Sequence, residues 1–134
     1  MRPTEFCEIA ADLLKNSPDV QGVQTLTEVG DTKHPYGLAI TVAGREQRWQ
    51  FIGQLADGAK HDIPTPAVLA QPAPFKTSPV EGAPDAWLAG VIGAAESPEL
   101  KSIEVWSIRE GAHPDQVGCT LRWHNGEQTY LRKI

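Results

Sequence analysis

The sequence predicts an α+β fold: two α-β-β-β units forming an antiparallel sheet of about six strands, with two helices on one face, joined by a proline-rich crossover. Three observations predict it. Two apolar stripes at helical spacing lie far apart in the chain. Each is closed by a Ser-Pro stop, Asn16-Ser17-Pro18-Asp19-Val20 and Glu96-Ser97-Pro98-Glu99-Leu100, and each is followed by strand-like segments. Between the two units runs a stretch that no regular helix or central strand can occupy.

Thr4 reads as an N-cap, and Phe6, Ile9, Ala10, Leu13 and Leu14 form one stripe, so a helix is expected over about Thr4–Asn16. Pro18 ends it, because the residue before proline avoids the α region. Val23 to Val29 reads as a strand with β-branched Thr25 and Thr27. The polar segment Asp31 to Tyr36, with His34-Pro35, reads as a loop. Leu38, Ile40 and Val42 alternate with Ala39 and Thr41, Ala43-Gly44-Arg45 turns the chain, and Gln47, Trp49 and Phe51 return. That is a hairpin with one buried face.

Residues 53–84 hold six of the eleven prolines, Pro64, Pro66, Pro72, Pro74, Pro79 and Pro84. Each removes a hydrogen-bond donor and fixes φ. Ile63, Val68, Leu69 and Phe75 lie in the same stretch, and a free linker has little use for them. An ordered crossover packing these side chains over the core is expected.

Asp85 reads as the N-cap of the second helix, with Trp87, Leu88, Val91, Ile92 and Ala95 as its stripe. Gly90 and Gly93 weaken it unless they admit a close neighbour. Ile103 to Arg109 reads as a strand apolar on both faces, Ile103 and Val105 on one side, Trp106 and Ile108 on the other. Cys119, Leu121 and Trp123 alternate into an Asn125-Gly126 turn, and Glu127 to Ile134 returns. At the offset read from the hairpins, Leu38 pairs with Cys119, Ile40 with Leu121, Val42 with Trp123 and Trp49 with Tyr130. The units span about 4–52 and 85–134, within a single domain of residues 1–134.

The formal charge of −5 disfavours generic nucleic-acid binding, which needs a basic surface. No apolar run is long enough to span a bilayer, so no membrane role is expected. Cys7 and Cys119 match no metal or redox spacing, and a reducing, cytoplasmic setting is the expectation.

No nucleophile elbow, phosphate-cradling loop or dinucleotide fingerprint is present, so no catalytic residue, cofactor or metal is expected. His34 and His113 stand in corresponding loops and are the residues that could contact a ligand. Arg48 and Arg122 adjoin Trp49 and Trp123, but neighbours on a strand face opposite sides. The tryptophans are expected in the core and the arginines in solvent. Trp106 and Ile108 predict an apolar patch, covered either by the crossover or by an interface with another chain. Together these observations predict a non-enzymatic cytoplasmic binding or interaction protein, its partner an unidentified protein or a second copy in a homodimer. The alternatives are a small-molecule or enzymatic pocket between the two units, and nucleic-acid binding, for which a basic sheet face is required.

Overall fold

A computed structural model describes residues 1–134. Its elements in chain order are α1 (Pro3–Lys15), β1 (Val20–Thr25), β2 (Gly37–Val42), β3 (Arg45–Gln54), α2 (Pro84–Gly93), β4 (Leu100–Val105), β5 (Gly118–Trp123) and β6 (Gln128–Lys133). The strands form one antiparallel sheet in the order β1-β2-β3-β6-β5-β4. That is the expected α+β class. The order reads alike from either edge, with β3 and β6 paired at the centre.

Corresponding irregularities stand in the two halves. β1 slips register between Val20 and Gly22 against β2, and β4 slips between Leu100 and Ser102 against β5. Leu38, Ile40 and Val42 point into the core, as do Cys119, Leu121 and Trp123. The fourth expected pairing is corrected. Leu131, fully buried, takes the inward post that Trp49 holds in the first half, and Tyr130 faces the other way. The turns explain this. Ala43 and Gly44 alone join β2 to β3, both with positive φ of 52° and 73°, the geometry that follows strand twist. Three residues, His124 to Gly126, lie between Trp123 and Glu127, which hydrogen-bond across the β5–β6 turn, adding one to the offset.

α1 begins earlier than Thr4. Pro3 occupies the first helical position, and Glu5 reaches back to accept the Arg2 backbone N–H at 3.3 Å. Phe6, Ala10 and Leu14 are its buried stripe, while Ile9 is 43 % exposed. Phe6 meets Phe51 and Trp123 edge-on, at centroid separations of 5.1 and 5.9 Å, joining the two halves of the core.

α2 is buried on almost every side, because the sheet lies under it and the crossover lies over it. Its glycines make that possible. A Cβ on Gly93 would sit 2.7 Å from Phe75 Cγ, and one on Gly90 3.0 Å from the Lys76 carbonyl. The crossover is therefore ordered against the helix layer, and of the expected side chains Phe75 is the one packed on Gly93. Ile63, Val68, Leu69 and Phe75 remain 58, 48, 68 and 41 % exposed, and Ala73 enters the core instead. Main-chain atoms of this segment carry further contacts. Ala70 N–H donates to the Pro98 carbonyl, and Arg2 and His124 meet the carbonyls of Ile63 and Gln71.

Two expected strands are shorter at their C-terminal ends. β1 stops at Thr25, where Thr25 and Glu28 hydrogen-bond each other's backbone and side chain in a turn. β4 stops at Val105, and Trp106–Ile108 forms a single 3₁₀ turn.

Candidate functional site

One face of the sheet carries the core and both helices. The other face is overlaid by Leu26 and Trp106 at two corners, and its Gln50, Ile52 and Gln54 also line a cavity with Tyr36, Leu55 and His61. Its outward positions follow from strand alternation and register. At the centre Ile52 lies opposite Tyr130 and Gln50 opposite Arg132, across the β3–β6 pair. Tyr130 also faces Thr120 on β5. Ile52 is 40 % exposed, and the Tyr130 hydroxyl bonds the side chains of Gln54 and Gln128.

Around this centre stand arginines. Arg48 Nε donates to Glu46 at 2.9 Å. Arg122 and Arg109 both approach Glu104, at 3.3 and 3.8 Å. Arg132 makes no ion pair and is exposed. Arg48 and Arg122 are thus outward, as expected, with Trp49 and Trp123 in the core. Four arginines stand against Glu46 and Glu104, with Asp115 in the groove beside Arg132 and Trp106, so this face is net positive in a chain whose total is −5.

Two corners of this face are built alike. Leu26 packs on Gly37 at the start of β2, and Trp106 packs on Gly118 at the start of β5. Trp106 Nε1 donates to Thr120 Oγ1 at 2.9 Å, and the Arg109 guanidinium lies over the indole at 5.6 Å. Trp106 thus has a counterpart in Leu26, 80 positions earlier, the same offset that separates Ser97 from Ser17.

The two residues expected to form one patch part company here. Trp106 lies on the open face. Ile108, 71 % exposed, lines a groove of about 350 Å³ at the α2 edge with Phe75, Ala89, Ile103 and Val105. The 3₁₀ turn separates them, because strand alternation ends at Val105. Asp85 fixes that turn. Fully buried, its carboxylate accepts from Ser107 N (3.0 Å), Ser107 Oγ (2.5 Å), Gly118 N (3.1 Å) and its neighbour Ala86 N (2.9 Å). Ala83, not Asp85, is the N-cap of α2.

His34 and His113 are not brought together. The antiparallel order places their loops at opposite ends of the sheet and on opposite sides of β3 and β6. His34 Nδ1 sits 2.8 Å from Asp31, and His113 Nδ1 3.6 Å from Asp115. The His34 side chain and the backbone N–H groups of His34 and Lys33 hold the Asp31 carboxyl down at about 2. No group of three or more His, Cys, Asp or Glu side chains converges to hold a metal.

The largest cavity, about 770 Å³, lies where α1 begins, between Arg2, Tyr36, Gln50, Gln54, His61 and Glu127. Glu127 is buried beneath the Met1 amino group, with Arg2 Nε 3.3 Å from its Oε2 and Asn125 donating to Oε1 at 3.0 Å. Burial pushes this carboxyl up. The hydrogen bonds from the Met1 amino group and Asn125, with the charges of Met1 and Arg2, outweigh that and hold it below the usual range.

No protein-family model, no curated protein and no solved structure matches the chain. No helix is long and apolar enough to cross a membrane.

Neither Asp85 nor Glu127 is legible as a buried carboxylate from sequence, since each follows a turn signal where exposure is the ordinary outcome. The outward arginines, by contrast, could be read from alternation once the strands were placed.

Proposed function

We propose that this protein is a non-enzymatic binding protein of the cytoplasm that engages a protein partner through the open face of its sheet. One observation carries the reading. The face has an apolar and aromatic centre, Ile52 and Tyr130, flanked by arginines, and Ile52, which also lines the large cavity, is 40 % exposed. Arginine and aromatic side chains are what protein interfaces concentrate, because each combines large contact area with directional polar groups. The proline-rich segment, the one piece long enough to cover the face, is held on the helix side by its contacts to Gly90, Gly93 and Pro98.

The test is affinity capture with the wild type and with Ile52→Asp, a change at an exposed position. Expected is a retained partner that the variant loses while its circular dichroism is unchanged. Equal capture by both proteins would reject the face. Sedimentation velocity identifies the case in which the partner is a second copy, through a dimer that the same substitution dissolves.

A second reading has the 770 Å³ cavity behind it. Its volume lies in the range of small-ligand sites, and Arg2, His61, Gln50 and Gln54 supply polar groups. Saturable heat on titration with a small polar ligand, lost in Gln54→Leu, would favour it.

A further inference from the structure

The open face is small, and its charge is opposite to that of the rest of the molecule. Six strands span about 24 Å across the sheet, and six residues span about 20 Å along it, so the face offers roughly 500 Å². A stable complex between folded proteins buries about 800 Å² on each side. The face therefore suits an extended or helical segment better than a second folded copy. The charge points the same way. A second copy would bring either another net-positive face or a surface from the acidic remainder. The first pairing repels, and the second is head-to-tail, which makes a ring or a filament and not a two-fold dimer.

We infer that this face docks a short acidic segment of a partner protein, its carboxylates on Arg48, Arg122 and Arg132 and an apolar side chain on Ile52 and Tyr130; this rests on the open-face reading above. Arg132 is central to it, since it lies beside Gln50 at the middle of the sheet and makes no ion pair within its own chain. Arg48 and Arg122 each hold one glutamate in the plane of the sheet and keep guanidinium donors free, because the fork carries five.

Nucleic acid is the other polyanion to weigh, and the face lacks what single strands need. Base stacking requires an open aromatic plane. The Trp106 indole is seated on Gly118, lies beneath Arg109 and donates its N–H to Thr120. The net charge of −5 also repels a long polyanion, whereas a short segment sees mainly the local field within about 8 Å.

The test uses fluorescence anisotropy with a short fluorescein-labelled peptide of alternating Glu and Val, the same peptide with Lys in place of Glu, and a labelled oligothymidine of matched charge. Expected is binding of the Glu peptide to the full chain that weakens with salt and falls about tenfold or more in Arg132→Glu. The exposed Arg132→Gln variant should lie between, which separates charge from misfolding. The Lys peptide and oligothymidine should bind at least about tenfold more weakly than the Glu peptide. Tighter binding of oligothymidine, or undiminished binding of the Glu peptide to Arg132→Glu, would overturn the inference. Preference for the Lys peptide, together with partner loss in Ile52→Asp, would overturn the acidic assignment and leave the open-face reading standing.

Discussion

Trp106 rests on Gly118 so closely that a Cβ on the glycine would sit 2.6 Å from the indole ring. The Leu131 carbonyl, a backbone atom, lies within the same space. Leu26 and the Trp49 carbonyl crowd Gly37 in the other half in the same way. Both glycines start the middle strand of a three-strand unit, so each lets a bulky side chain fold over a sheet corner.

Gly118→Ala should therefore destabilise the protein by about 2–3 kcal/mol, the range for overpacking against atoms that cannot rotate away. Trp106 fluorescence should change with it. Gly22→Ala is the control. Its Cβ would meet nothing nearer than 3.9 Å, and the change should stay within about 0.5 kcal/mol. Urea unfolding of both variants checks the pair, and equal midpoints would refute the close seating of Trp106.

Asp85 ties α2 to the 3₁₀ turn and to β5 by accepting from Ser107 and Gly118. Asp85→Ala takes the side-chain acceptor from the backbone N–H groups of Ala86, Ser107 and Gly118, at a cost of about 3 kcal/mol or more. A local readout is available at Cys119, whose S–H donates to the Asp85 carbonyl at 3.3 Å. Burial, helped by the Asp85 charge, pushes the Cys119 thiol far above its ordinary value. Thiolate is the reactive form, so native Cys119 should resist labelling. Half-buried Cys7, raised chiefly by burial, should label slowly. With Ellman's reagent, Cys119 of the wild type should react only on unfolding, and in Asp85→Ala under native conditions. Equal native rates at Cys7 and Cys119 in the wild type would contradict the burial of β5 under α2.

The contrast between Trp49 and Trp106 explains which parts of this fold were legible. Trp49 sits mid-strand in a run of strict alternation, so period two alone places it inward. Trp106 follows two residues of the same alternation, but hydrogen bonds from Ser107 to a carboxylate 22 positions away end the strand beneath it. Local pattern fixes which way a side chain points while the strand lasts. It does not reveal a distant acceptor that captures the next two donors. Tyr130 shows the same limit, since one extra turn residue reversed its expected side. The open face was legible in part, because Arg48 and Arg122 follow from alternation. How far it is covered was not, since only the path of the crossover decides that.

Acid should act on this protein through Asp31 and Glu127. Both carboxyls lie below their usual values in the folded state. Asp31 is held at about 2 by the His34 side chain and the backbone N–H groups of His34 and Lys33. Glu127, against the upward push of its burial, is held down by the Met1 amino group, Asn125 and Arg2. The unfolded chain binds these protons more readily than the folded one, so their contribution is complete above about pH 5. It is lost as pH falls, Glu127 below the usual glutamate value and Asp31 between 3.8 and about 2. The melting temperature should therefore drop from about pH 5 to about pH 2, and Asp31→Asn should flatten the lower part of that fall while lowering stability at neutral pH. Thermal melts followed by circular dichroism across this range check it. An Asp31→Asn profile parallel to the wild type would show that the bond to His34 does not persist in solution.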